Sequence, residues 1–281
     1  MKLKSEEIKI AILDLYNNEE NQGIRCIKDI INEIDCLYPS LSVNYELFDT
    51  RYKNEIPNLD YNIFISSGGP GSPFEGENTP WEKNYFSLLD SIWNFNEGNE
   101  EKKHLFFICH SFQLMARFFE FGEVVRRNSK SFGVMPVHKT ELAKDEIILK
   151  NLPEPFYAAD FREWQVVQPN QSKIDELNAK ILCIEKFRPH VELERAIMAV
   201  RISDEIVGTQ FHPEADPASM YFHFRKPDRK EHVISKYGEQ KYYDMLALLE
   251  EENAIKLTRK TVIPNFIKNA IIKLRPEVKS H

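Results

Sequence analysis

The 281-residue sequence holds no run of 18 or more apolar residues, so no transmembrane helix is expected. Its opening stretch, MKLKSEEIKIAILDL, lacks the apolar core and small-residue cleavage site of a secretory leader. A cytoplasmic location is the expectation. Cysteine is sparse: Cys26, Cys36, Cys109 and Cys183 occur with no CxxC pair and no Cys/His ligand spacing. A disulfide framework and a zinc site are therefore not expected, and neither a metal nor a cofactor is called for. Basic residues do not dominate either, with 37 Lys and Arg against 44 Asp and Glu, so a nucleic-acid-binding face is not expected. There is no G-x-x-x-x-G-K-[ST] phosphate loop, no internal repeat and no low-complexity tract.

What is present is core material, 42% hydrophobic and 12% aromatic, enough for one large α/β domain with an appendage. The runs IKIAILDL (8–15), VNYELFD (43–49), YNIFISS (61–67) and LFFIC (105–109) predict buried strands. Between them, Ile24, Ile27, Ile31 and Ile34 recur at helical spacing, as do Trp81, Tyr85, Leu88, Leu89 and Ile92. Strand alternating with helix predicts a three-layer α/β fold with a mostly parallel central sheet. From residue 122 onward the spacing predicts shorter strands at 132–140, 155–160, 163–169, 180–187, 196–202 and 205–211, the last two joined by a compact hairpin turn. Pro227, in a polar stretch, marks a boundary. Residues 1–222 are expected to form the main domain and 223–281 a helical extension packed on it. One helix of the extension carries Tyr242, Met245, Leu246 and Leu249. The next carries Ile263, Phe266, Ile267, Ala270, Ile271 and Leu274, with Thr261 as N-cap and Pro264 in its first turn.

Three stretches could carry chemistry. In HLFFICHSFQLMARFF (104–119), Cys109 stands where a strand pattern gives way to a helix pattern. A tight turn there would expose the thiol, and the helix N-terminus would supply N–H donors and a positive dipole end that favour thiolate. Free cysteine is also a common core residue, and the other three cysteines fit core positions better. ISSGGPGSP (65–73) ends a strand with Gly68, Gly69 and Gly71, whose bare backbone can approach a ligand oxygen. GTQFHPEADP (208–217) follows another strand and holds His212 and Glu214 two apart, on the same side of an extended chain.

Jointly, the Gly-Gly-Pro-Gly loop, Cys109 with Gln113, and the His212–Glu214 pair resemble the ordered signature of class I glutamine amidotransferases. The layout over roughly 8–222 is most similar to the amidotransferase domain of GMP synthase. The resemblance implies a flavodoxin-like fold and a Cys109–His212–Glu214 triad that hydrolyses the side-chain amide of glutamine through a γ-glutamyl thioester. It also implies an oxyanion hole from the backbone of Gly69 and His110, with substrate contacts from Gly71 and Gln113. The expected substrate is glutamine or another γ-glutamyl compound. Released ammonia, if used in synthesis, would pass to a separate synthetase partner; a homo-oligomer is compatible with this reading.

The sequence departs from the family pattern at Phe107 and Ser111, where elbow glycines are usual. The common Ser-His-x-Asp segment is replaced by DFREW (160–164), in which Arg162 could grip a substrate carboxylate. These departures keep two alternatives open: a γ-glutamyl peptidase or hydrolase with the same triad, and a non-catalytic binding or regulatory member of the fold.

Overall fold

A computed structural model describes residues 6–189, 195–251 and 254–278. Its frame is a nine-stranded sheet in the order β2-β1-β3-β4-β9-β8-β7-β5-β6. The strands are β1 (Glu6–Leu13), β2 (Leu41–Phe48), β3 (Ile63–Ser66), β4 (His104–Ile108), β5 (Gly122–Lys139), β6 (Phe156–Pro169), β7 (Lys180–Glu185), β8 (Ile197–Arg201) and β9 (Ile206–Thr209). The first five in spatial order run parallel. The remaining pairings, from β9–β8 to β5–β6, are antiparallel. The strands after residue 122 thus extend the central sheet as antiparallel hairpins, in agreement with the strand pattern.

The parallel strands have both faces covered, which is why β3 and β4 are buried at every position. On one face lie α1 (Gly23–Leu37) and α8 (Ile255–Leu274), packing Ile27, Ile31, Phe266 and Ile267 against Ile10, Ile65 and Phe106. On the other lie α2 (Pro80–Gly98) and α3 (His110–Phe119), through Tyr85, Leu89, Leu114 and Met115. A third apolar cluster packs α5 (Pro217–Arg225), α6 (Pro227–Tyr237) and α7 (Glu239–Glu250) over β5 and β6, using Phe224, Val233, Tyr242 and Met245. The short helix α4 (Gln171–Leu177) links β6 to β7.

Several expectations change. The strands expected at 155–160 and 163–169 are one continuous β6, because the intervening Arg162 is neutralised rather than solvated. Pro227 opens α6, and α5 runs across the expected division at 222/223. Helix α8 begins at Ile255, so Thr261 is not its N-cap and Pro264 lies inside it. A proline there removes one helical hydrogen bond. Burial of Ile263, Phe266, Ile267 and Ile271 against the sheet outweighs that loss, and Thr258 Oγ1 donates to the Tyr157 carbonyl at 2.6 Å. Cys36 is exposed, unlike Cys26, Cys109 and Cys183. No helix among the described residues is long and apolar enough to cross a membrane.

Candidate functional site

Strands β3, β4 and β9 are adjacent and parallel, so their C-terminal ends open on the same edge of the sheet. Gly68 and Gly69 follow β3, Cys109 follows β4 and His212 follows β9. That edge is where open α/β sheets place their ligands.

Cys109 joins β4 to α3 at φ 50° and ψ −97°, a conformation an L-residue seldom adopts. Its amide donates to the Thr209 carbonyl at 2.8 Å, which ties the turn to β9. The two missing glycines are accounted for here. Ser111 is in helical backbone, and its Oγ accepts from Ile108 N at 2.8 Å and donates to the Ser66 carbonyl at 2.8 Å. Phe107 pairs in register with Gly208 of β9. A Cβ at Gly208 would fall 2.8 Å from Met115 Sδ, 2.9 Å from Phe112 Cδ2 and 3.0 Å from Phe107 Cβ. Close approach of α3 to the sheet therefore occurs over Gly208, one strand away from Phe107.

His212 Nδ1 lies 2.8 Å from Glu214 Oε1, and its other polar neighbour is the Cys109 thiol. With Nδ1 donating to the carboxylate, Nε2 is left for the sulfur. Burial alone would push the imidazole pKa down. The charges and hydrogen bonds of Cys109 and Glu214 outweigh it and hold His212 well above the usual value. Glu214 is buried, and its Oε2 has no protein hydrogen-bond partner. Gly68 makes this crowding possible, since a Cβ there would fall 2.8 Å from His212 Cε1 and 3.1 Å from the Tyr16 hydroxyl oxygen.

The other expected residues divide. Gly69 lines a cavity beside His212, and His110 contributes the first N–H of α3, a group without an acceptor inside the helix. The His110 side chain is buried and its pKa is pushed down to about 3, so the imidazole stays neutral. Gln113 is buried, donating to the Trp164 carbonyl at 3.3 Å and to Gln210 Oε1 at 3.5 Å. Gly71, at φ +78°, turns the chain against Glu75 Oε2 and does not line the cavity.

Arg162 is the clear correction. It is neither a surface arginine nor free to hold a substrate: its side chain is 1% exposed, and Nε donates to Asp160 Oδ1 at 2.8 Å. Its Nη2 lies 3.4 Å from Glu185 Oε1, a carboxylate shared with Arg127 and Arg188. Alternation along β6 puts Asp160 and Arg162 on one face and Phe161 on the other. Phe161 is the residue of DFREW that lines the cavity, its ring centroid 6.5 Å from that of His212.

Sequence reasoning missed three residues here. Gln210 Nε2 lies 3.4 Å from the Cys109 carbonyl and 4.0 Å from its sulfur. Arg51 holds the glycine loop, its Nη1 donating to the Pro70 carbonyl at 2.7 Å and the Leu15 carbonyl at 3.3 Å. Tyr16 lines the cavity, and burial, then Glu214 and Cys109, push its phenol upward, keeping it a donor. Gln210 lies within the GTQFHPEADP stretch, whereas nothing local in the sequence marks Arg51 or Tyr16. Among the described residues no His, Cys, Asp and Glu group is arranged to hold a metal.

Comparison with known proteins agrees with this architecture. A glutamine amidotransferase from Thermotoga maritima superposes with a TM-score of 0.66 at 18% identity, covering 94% of this chain and 98% of that one. A GMP synthase-type protein from Thermoplasma acidophilum gives 0.51 at 15%, covering 74% and 85%. The glutaminase domain of Trypanosoma brucei CTPS, solved with bound acivicin, gives 0.51 at 13%, covering 74% and 86%. No curated protein sequence matches the chain significantly. The sequence profile of the class-I glutamine amidotransferases matches residues 24–224, and the chain belongs to that family.

Proposed function

We propose that the protein is a glutaminase-type amide hydrolase in which Cys109 is the nucleophile, His212 the proton carrier and Glu214 the group that orients it. The observation that carries this reading is His212 between Glu214 Oε1, at 2.8 Å, and the Cys109 thiol, with its pKa raised by both. An imidazolium beside sulfur favours the thiolate, which is the attacking form.

The thiolate adds to the γ-carbonyl carbon of glutamine, forming a C–S bond. The backbone N–H groups of Gly69 and His110 take the negative charge that develops on oxygen, each such donor contributing about 3 kcal/mol. His212 gives its proton to the nitrogen as the C–N bond breaks, releasing ammonia and leaving a γ-glutamyl thioester. A water molecule then gives a proton to His212 and attacks the thioester, and breaking the C–S bond returns glutamate and the thiolate. Gln210 and Ser111 hold the nucleophile's turn, and Arg51 holds the glycine loop. In a synthetic setting the ammonia acceptor is a separate synthetase.

Ammonia release from glutamine, followed for the native protein and for Cys109→Ala, tests the reading. Turnover that disappears in the variant, with unchanged thermal stability, supports it. Equal turnover in both excludes Cys109 as nucleophile.

A further inference from the structure

A buried primary amide has two N–H donors and a carbonyl oxygen to satisfy, and each costs free energy where it finds no partner. Two such groups are buried beside Cys109: Gln113 in α3 and Gln210 directly after β9. Backbone carbonyls, which can only accept, set the direction of both. Gln113 Nε2 lies 3.3 Å from the Trp164 carbonyl, so its NH2 end faces β6. Gln210 Nε2 lies 3.4 Å from the Cys109 carbonyl, whose other hydrogen bond comes from Gln113 N at 3.1 Å. Between the two side chains, Gln210 Oε1 accepts from Gln113 Nε2 at 3.5 Å. Turning either amide over would set its oxygen against a carbonyl oxygen, so the chain runs one way, from β6 to the turn of Cys109.

Each NH2 therefore has one hydrogen on a backbone carbonyl and a second to place. That of Gln113 goes to Gln210. That of Gln210 has the sulfur of Cys109 in reach, 4.0 Å from Nε2. Such a contact is long for a neutral thiol, but a thiolate draws the donor in, because charge-assisted hydrogen bonds are shorter and about twice as strong. Trp164, the anchor of the chain, is itself packed on the segment after the glycine loop, its ring centroid 5.4 Å from that of Phe74. The titratable groups around the sulfur are His212 and Glu214 after β9, Tyr16 on the β1–α1 connection and the neutral His110 on α3, with Arg51 and Arg117 beyond it. Replacing either glutamine removes none of them.

We propose that Gln210 is the fixed hydrogen-bond donor to the Cys109 thiolate and that Gln113 is the positioning residue that sets its direction. The inference rests on the proposed chemistry at Cys109. It gives Gln113 a role other than the substrate contact that the family resemblance implies. The donor serves twice in the reaction, as the thiolate attacks and again as the thioester breaks and charge returns to sulfur. Gln210 takes up no proton itself, so His212 remains the proton carrier.

The test is the rate of alkylation by iodoacetamide as a function of pH, in a Cys36→Ser background that removes the exposed thiol. Burial pushes the Cys26 thiol up to about 11 and holds Cys183 well above its usual value, so neither competes near neutrality. Gln210→Met keeps the volume and removes both donors. It is expected to move the midpoint of the profile up by about one pH unit, the tenfold effect of losing one hydrogen bond to a charged group. Gln210→Asn, one methylene shorter, withdraws the donor but keeps a polar side chain, and should give the same shift if the methionine variant does not fold. Gln113→Met should shift the profile the same way by less, and the double variant no further than Gln210→Met alone. With glutamine as substrate, kcat should fall in these variants while KM stays nearly unchanged. A profile unmoved in the Gln210 variants, at unchanged melting temperature, would overturn the inference. A raised KM with an unmoved profile in Gln113→Met would overturn the role given to Gln113 and return it to the substrate. Absence of alkylation at Cys109 in the native protein would remove the nucleophile assignment as well.

Discussion

Ser111 Oγ donates to the Ser66 carbonyl at 2.8 Å, so the turn carrying Cys109 is tied to the end of the strand that leads into the glycine loop. The two halves of the candidate site, the proposed nucleophile and the glycine loop, are held by one buried hydroxyl. The same oxygen accepts from Ile108 N, a buried donor that would otherwise be without this partner. Ser111→Ala is expected to destabilise the fold by about 1–3 kcal/mol, the cost of leaving buried polar groups unpaired. Urea unfolding measures it, and a loss below a few tenths would contradict the role assigned to this hydroxyl.

Gly208 predicts a different kind of loss. A methyl group there would fall within 3.0 Å of Met115, Phe112 and Phe107, so Gly208→Ala overpacks the contact of α3 with the sheet. The expected cost is about 1–3 kcal/mol. Gly98→Ala, where nothing lies within 4 Å, serves as control and should be neutral or slightly stabilising. If both substitutions leave the melting temperature unchanged, close approach over Gly208 is not what seats the helix.

How much of this is legible in the sequence depends on whether the information is local. The strand–turn–helix around Cys109 is, because an apolar run meets helical spacing at one residue. The Gly208–Phe107 pairing is not, because register between strands 101 positions apart is fixed only when the sheet forms. Arg162 shows the same limit: Asp160 is two residues away on the same strand face, but Glu185 arrives through the fold. Helix α8 misleads for another reason. Pro264 after Thr261 has the pattern of a helix start, and only burial of the preceding turns, through Ile255 and Thr258, extends the helix backward.

Arg162→Met should act on stability rather than on substrate binding. It leaves Asp160 and Glu185 short of a buried cation, which typically costs about 3–5 kcal/mol. The expected outcome is a lower melting temperature with KM for glutamine unchanged. A KM increase at constant stability would restore the substrate-binding role that its geometry does not support.

The histidines set the pH dependence. Burial pushes His104 and His110 down to about 3, helped in His104 by Lys273 and Arg201 and in His110 by Arg51 and Arg117. Their folded values lie below the unfolded one, so the stability they contribute is present above about pH 6.5 and is lost as pH falls toward about 3. His212 has the opposite sign. Its raised value makes its contribution fully present below about pH 6.5 and lost as pH rises through the folded value. The urea midpoint should therefore fall between about pH 6.5 and about 5, above the range where ordinary carboxylates titrate. His104→Phe should flatten that fall, and an unaltered slope would contradict a neutral, buried His104.

Which thiol reacts decides whether Cys109 is the nucleophile. Cys36 is exposed, whereas Cys109 is only 4% accessible, so simple access favours Cys36. The decisive measurement is peptide mapping by mass spectrometry after brief exposure to a glutamine-analogue electrophile at neutral pH. The expected result is a single adduct on Cys109, abolished in His212→Ala. Labelling of Cys36 with Cys109 left free would contradict the assignment of Cys109 as the nucleophile.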